Sequence, residues 1–199
     1  MTNFWDSRFG GEDFLYGKEP NEFFSNFLSE IETKGKLLLP AEGEGRNAVF
    51  AAKFGWDVTA IDSSAVGRQK ALKFAEAEGV IVNYEILDLA NFETRPDQFD
   101  FIAIIFGHFP SSFRQDLHYK FIKSLKPGGH ILIEAFAKEQ LNNSSGGPQD
   151  PDMLYSTDLL VSDFPELSIK KLKHEKVFLN EGKHHGWADV VRFVGVRPE

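Results

Sequence analysis

The densest group of residues suited to chemistry is a short loop, Ala41-Glu42-Gly43-Glu44-Gly45-Arg46-Asn47. It follows the apolar run KLLLP (36–40) and precedes a helical pattern. Open α/β sheets bind ligands outside the carboxyl ends of strands, where the strand order reverses. Gly43 and Gly45 let backbone approach a ligand with no Cβ in the way. Gly43-x-Gly45-x-x-Ala48 also fits a dinucleotide-binding pattern. Against that, Glu42 and Glu44 stand where a pyrophosphate would be cradled, and carboxylates repel phosphates. They suit a cationic ligand, such as one carrying an ammonium and a sulfonium. The alternative is a tight turn with both Glu side chains in solvent.

Three further strand ends carry candidates. Asp62 closes DVTAID (57–62), 19 residues after Gly43. An acid there is placed to accept from both hydroxyls of a ribose. Asp88 closes IVNYEILD (81–88). It suits an adenine amino group, with the Leu89 N–H pairing to a ring nitrogen, or it caps the next turn. FDFIAIIF (99–106) ends in Phe106-Gly107-His108-Phe109-Pro110. Gly107 admits a ligand closely, and His108 is a candidate base or substrate contact, or a packed residue. Glu134 and Asp189, acids on apolar runs, stay unassigned. Lys170, Lys171, Lys173 and Lys176 read as a solvated strand edge that discourages aggregation.

These residues need elements to hold them. PNEFFSNFLSEIE (20–32) places Phe23, Phe27, Ile31 and Phe24, Leu28 at spacing four, one helical stripe behind Pro20. RNAVFAAKFG (46–55) and SAVGRQKALKFAEAEG (64–79) are helices closed by Gly55 and Gly79. SSFRQDLHYKFIKSL (111–125) is a helix capped by Ser111 or Ser112 and stopped by the following KPGG. HILIEAF (130–136) is another strand. Near-continuous apolar strands alternating with helices predict a parallel sheet covered by helices. LNNSSGGPQDPD (141–152) reads as a surface loop with nothing to bury. ELSIKKLKHEKVFLNEG (166–182) and HHGWADVVRFVGVRP (184–198) then predict an antiparallel hairpin.

Composition sets the bounds. A chain of 199 residues fits one domain and needs no covalent staples. There is no Cys, which excludes disulfides, thiolate metal sites and a Cys nucleophile. Net charge is −8, against a nucleic-acid or anionic-membrane partner. The longest apolar run, Phe101 to Phe106, is far short of the ~20 residues that span a bilayer. The polar N-terminus shows no signal-peptide core, so a cytoplasmic location is expected. The 20 Phe residues point to a Phe-packed core, with a few free to line a ligand site.

AEGEGRNA (41–48), the acid of TAIDSS, the acid of EILDLANF and LKPGGHILIEAF, in this order, resemble a class I S-adenosylmethionine-dependent methyltransferase. FWDSRFGGEDFLYGKEPNEFF at one end and EGKHHGWADVVRFVGVRP at the other resemble small-molecule methyltransferases of the tellurite-resistance and thiopurine type. The resemblance implies one α/β domain, a doubly wound, mainly parallel seven-stranded sheet with a C-terminal antiparallel hairpin. Residues 1–35 form an N-terminal cover and helix, 36–137 the cofactor-binding core, and 138–199 a loop, helix and hairpin. It implies in-line methyl transfer from S-adenosylmethionine to a small acceptor, a thiol or a chalcogen oxyanion such as tellurite or selenite. No metal is expected, and with net charge −8 and no Asn-Pro-Pro-Tyr or Asp-Pro-Pro-Tyr motif after the fourth strand no nucleic acid is expected either.

The expected cofactor set is Trp5, Tyr16, Ala41, Glu42, Gly43, Gly45, Arg46, Asp62, Ser63, Asp88, Leu89, Phe106 and Gly107. Trp5, Phe14 and Tyr16 of the N-terminal cover are expected to wall off the sulfonium. His184 and His185, in the hairpin loop, join His108 as catalytic candidates facing a small, polarisable acceptor, neutral or anionic. The family's first motif begins with an acid and a glycine. Leu39 and Ala41 stand there instead, which leaves open a cofactor-binding protein without turnover, or less simply a nicotinamide oxidoreductase.

Overall fold

The structure, a computed structural model, describes residues 2–199. Seven strands form one sheet: β1 Lys36–Pro40, β2 Asp57–Asp62, β3 Asn83–Ile86, β4 Phe99–Ile105, β5 Leu125–Phe136, β6 Ser168–Glu181 and β7 His184–Val196. Their order is β3-β2-β1-β4-β5-β7-β6. β1 to β5 pair in parallel, and β7 runs antiparallel between β5 and β6. The helices are α1 Thr2–Phe9, α2 Glu22–Glu30, α3 Arg46–Lys53, α4 Ala65–Ala77, α5 Ser111–Ser124 and α6 Thr157–Asp163. The α/β class, the mainly parallel sheet and the closing hairpin are those that the sequence leads one to expect.

Helices cover both faces. Leu37 and Leu39 of β1 pack in the layer under α2, α3 and α4, whereas Leu38 packs in the layer under α5 and α6. Strand side chains alternate between faces, so a strand covered on both sides must be apolar throughout. That explains KLLLP and FDFIAIIF. On α2, Phe23, Phe24 and Leu28 are buried. Its start is set by Asn21, whose Oδ1 accepts from the Phe24 N–H at 3.0 Å, rather than by Pro20. No described helix is long and apolar enough to cross a membrane.

Four local expectations need correction. β3 covers only Asn83–Ile86. It pairs there with Thr59–Asp62 of β2, and the Leu87 N–H, donating to the Asp62 carbonyl at 2.9 Å, makes the last rung of that ladder. Neither Ser111 nor Ser112 caps α5, because Pro110 holds the cap position and Ser111 is already helical. The exposed Ser111 N–H donates instead to Asp152 Oδ2, at 2.8 Å. α5 does end just before KPGG, at Ser124, but KPGG is not a separate stop: the strand expected over 130–136 already begins at Leu125 and includes it, with a register shift against β4. The 141–152 loop is not idle surface, since Ser145 is buried and Gln140 beside it is too.

Candidate functional site

β1 is followed in sequence by β2 on one side, and its other neighbour is β4. The strand order therefore reverses between β1 and β4. A cavity of about 500 Å³ opens there, at the carboxyl ends. Ala41 and Phe106 follow those two strands, and both adopt left-handed backbone, with φ 56° and 50°. For non-glycine residues that conformation stores of order 1–3 kcal/mol, and it clusters at ligand sites. Ala41 thus keeps the turn that a glycine would make for less. Leu39, at the other departure from the family motif, is wholly buried in the core and never reaches the cavity.

Glu42 is not a free carboxylate. Its Oε1 accepts from the N–H groups of Asn47 and Ala48, both at 2.8 Å, in the first turn of α3. The carboxylate therefore occupies the helix N-terminus that would otherwise hold a phosphate. Burial raises its pKa to about 7, against the pull of those N–H groups, Asn47 and Arg46. Glu44 is engaged as well: Oε2 accepts from the Leu15 N–H at 2.7 Å, and Oε1 pairs with Lys70 Nζ at 2.6 Å. The expectation that Glu44 offers open negative charge to a ligand is corrected accordingly. Both acids are buried, which also removes the solvated-turn alternative. A Cβ on Gly45 would lie 2.5 Å from the Ala71 Cβ of α4, and its φ is 86°. Helix packing, as much as ligand approach, demands glycine there.

Asp62 ties the loop to β2. Its Oδ2 accepts from the Gly43 N–H at 2.9 Å and its Oδ1 from the Ser64 N–H at 2.8 Å. Burial raises its pKa while those N–H groups oppose the rise. Each carboxylate oxygen retains acceptor capacity toward the cavity. Asp88 does cap the next turn, accepting from the Ala90 N–H at 3.0 Å through Oδ1. Asp88, Leu89, Ser63 and Gly107 all line the cavity.

The N-terminal segment roofs it. Trp5 stacks on Phe9 at 5.4 Å between ring centres, and Tyr16 lies 4.2 Å from the His184 ring. Phe4, Trp5, Phe9 and Tyr16 line the cavity. Phe14 does not; it packs edge-on against Phe74 of α4, which corrects its expected place at the wall. Asp6 fastens α1 by accepting from Ser64 Oγ and the Val66 N–H at the start of α4. The stretch behind it is latched by Arg46, which donates to the carbonyls of Tyr16 and Glu19 and pairs with Glu181. The Lys183 N–H, in the hairpin turn, donates to the Leu15 carbonyl at 2.9 Å.

The three histidines separate. His108 Nδ1 lies 2.8 Å from the Met153 carbonyl, which only accepts, so that nitrogen carries the proton. Its Nε2 is then the acceptor facing the Phe136 N–H, at 3.4 Å. Burial lowers its pKa to about 4. His108 clamps 151–153 to β5, and its candidacy as a base is withdrawn. His184 is buried against Tyr16, Phe106 and Phe136, with its Nδ1 sealed off and without a partner. Burial, helped by Arg46, lowers its pKa to about 3. His185 points the other way, exposed against Phe178 and Asn180, and does not line the cavity. Adjacent strand residues face opposite sides, so the pair in HHGW cannot serve one site. Neither lies in the turn itself, which is Gly182–Lys183.

Sequence reasoning missed the segment Gly146–Asp150, which also lines the cavity. Its signal was position: it follows the carboxyl end of β5, on the same edge as the other site loops. The unassigned acids are structural. Glu134 accepts from Asn21 Nδ2 and pairs with Arg192, and Asp189 accepts from Asn143 Nδ2 and pairs with His174. Among the described residues no group of three His, Asp or Glu gathers as a metal site.

Residues 40–129 match a family model described as a methyltransferase domain. No curated protein matches the chain in sequence. Among solved structures, one concerning the conversion of a disulfide bond into a thioacetal group during echinomycin biosynthesis is 18% identical, over all of this chain and 92% of that one, with a TM-score of 0.78. A SAM-dependent methyltransferase from Methanosarcina mazei is 13% identical, over 90% of this chain and 99% of that one, with a TM-score of 0.71. TehB from Haemophilus influenzae is 15% identical, over 98% of this chain and 66% of that one, with a TM-score of 0.71. At such identities the likeness speaks for the fold. The matched domain and that fold support an S-adenosylmethionine-dependent methyltransferase, with S-adenosylmethionine as its cofactor.

Proposed function

We propose that the chain transfers a methyl group from S-adenosylmethionine to a small, soft nucleophile. The observation that carries this reading is the donor set around one cavity: Asp62 and Asp88 at successive strand ends, and Glu42 filling the helix N-terminus. The acids offer acceptors for ribose hydroxyls and an amino group. With the amides of α3 already taken by Glu42, a pyrophosphate has no seat, which disfavours a nicotinamide dinucleotide. When bound, S-adenosylmethionine supplies a methyl group activated on a sulfonium.

The chain's own part is binding, alignment and exclusion of water. Asp62, Asp88 and the Leu89 N–H hold the nucleoside end. Trp5 offers an aromatic face to positive charge, and Arg8, which also lines the cavity, offers a cation to a carboxylate. α1 and the latched stretch behind it keep water out. No histidine at the cavity is set up as a strong base, because His108 is engaged at both nitrogens and burial lowers the pKa of His184. A sulfur or other chalcogen nucleophile needs little help from a base. The products with a thiol are the methyl thioether, S-adenosylhomocysteine and one proton released to water. The neighbour concerned with thioacetal formation also acts in sulfur chemistry, which supports a sulfur acceptor over an oxygen one.

Isotope-labelled S-adenosylmethionine tests the reading directly. Label should pass to a small thiol, and Asp62→Ala should slow that passage. A protein that binds S-adenosylmethionine yet methylates nothing on a broad thiol, selenite, tellurite and phenol panel contradicts turnover and leaves binding alone.

A further inference from the structure

The acceptor side of the cavity has a chemistry that distinguishes the two classes of acceptor. It rests on the methyltransferase reading above, whose cofactor half is built by the loops after β1, β2 and β3. The other half is built by the start of α5, the end of β5 and the segment from Gly146 to Met153. Its side chains are Phe109, Phe113, Phe136, Pro148 and Met153. Phe113, Pro148 and Met153 are half-buried and line the cavity, and Phe113 also packs against the core.

Charge is distributed unevenly. The cations that reach the cavity are Arg8, Arg46 and Lys183. They come from α1, the cofactor loop and the hairpin turn. Among the described residues none comes from α5, β5 or the 146–153 segment; the one charged residue there, Asp150, is negative. Arg46 is engaged by the carbonyls of Tyr16 and Glu19 and by Glu181. From the hairpin both Lys183 and His184 line the cavity, and His184 is the one packed against Phe136 of β5, on the acceptor side. Its orphaned Nδ1 costs less as a lone pair than as a buried N–H, so the proton belongs on Nε2. An uncharged imidazole then presents a donor to the acceptor. Removing an oxyanion from water needs charge or several N–H groups in exchange; α5, β5 and the 146–153 segment bring no cation to the cavity, and the acid they do bring, Asp150, repels an anion.

We infer that the chamber between α5, β5 and the 146–153 segment takes an uncharged, apolar-bodied small nucleophile, with Phe113 and Met153 setting its shape, and excludes oxyanions. The body packs on Phe113 and Met153, and its nucleophilic atom lies within reach of His184 Nε2.

The test compares acceptors that share a nucleophile and differ in body. Benzyl mercaptan and 2-mercaptoethanesulfonate are both alkyl thiols; selenite and tellurite are the oxyanions. Binding to protein saturated with S-adenosylhomocysteine is measured by calorimetry, and methyl transfer is measured separately. Benzyl mercaptan should bind and react at least about tenfold better than 2-mercaptoethanesulfonate. Selenite and tellurite should show no saturable binding. Phe113→Ala, with Phe113→Leu as the variant least demanding of the fold, should weaken benzyl mercaptan binding several-fold while S-adenosylhomocysteine affinity stays within about twofold. Equal or better use of an oxyanion or of the sulfonate thiol overturns the assignment. So does unchanged benzyl mercaptan binding in both Phe113 variants, or no binding of it to the loaded protein. Failure of the chain to bind S-adenosylhomocysteine overturns the methyltransferase reading instead.

Discussion

Glu42 and the two inward histidines hold the titration behaviour of the site. The folded Glu42 pKa, about 7, lies above its ordinary 4.5. Between those values the folded chain keeps a proton that the unfolded chain has lost, so this group's contribution to stability falls as pH rises. Glu42→Gln carries no such proton. Relative to the parent it should gain about 1–3 kcal/mol between about pH 5 and 8, measured by denaturant unfolding at both ends. A constant difference contradicts the burial argument. His108 and His184 act in the opposite sense: their folded values, about 4 and about 3, lie below 6.5. Their contribution is present above 6.5 and is lost as pH falls toward 4. Asp62 holds two backbone N–H groups besides facing the cavity. Asp62→Ala should therefore weaken S-adenosylmethionine binding by about ten- to a hundredfold and also cost about 1–3 kcal/mol of stability. Unchanged affinity by calorimetry removes Asp62 from the cofactor site.

Two elements outside the sheet decide how the cavity closes. Gln140 pins the loop after β5. Its Oε1 accepts from the Asp189 N–H at 2.9 Å and from Asn143, and its Nε2 donates to Ser145 Oγ and to the Gly146 carbonyl, both at 2.9 Å. That holds the Gly146 backbone so close to His184 that a Cβ would sit 2.6 Å from the ring. Gln140→Ala should speed proteolytic cutting in 141–150 and cost about 1–3 kcal/mol, as for buried partners left unsatisfied. A loop as resistant as the parent's shows that other contacts hold it. α1 is fastened by Asp6 and by aromatic packing, whereas the stretch behind it has separate latches on Glu44, Arg46 and Lys183. Deleting residues 1–9 should thus lower methyl transfer and cofactor affinity more steeply than it lowers the unfolding free energy. Equal transfer by the truncated chain contradicts a water-excluding roof.

At the scale of the whole molecule, periodicity made most of the fold legible. KLLLP and FDFIAIIF read as strands because both faces are covered, and the terminal hairpin because its two long runs meet at a Gly-containing turn. The strand ends then located Asp62, Asp88 and the 41–47 loop. What stayed hidden depends on contacts across the fold. Nothing local in the sequence marks Asp152 as the partner of the Ser111 N–H, or turns Glu42 inward onto α3. His184 and His185 are alike in type, and only the pleat of β7 separates them. The segment 146–150 looks like solvent-exposed loop because Gly146-Gly147-Pro148-Gln149-Asp150 has no apolar pattern, and only the fold brings it to the cavity.

The central claim is that this cavity holds S-adenosylmethionine rather than a dinucleotide. Isothermal titration of the full chain with S-adenosylhomocysteine, and separately with NAD, tests it most directly. The account predicts saturable one-to-one binding of S-adenosylhomocysteine, weakened by about ten- to a hundredfold in Asp62→Ala, and no heat with NAD. Saturable NAD binding that S-adenosylhomocysteine cannot displace, or no binding of S-adenosylhomocysteine at all, contradicts it.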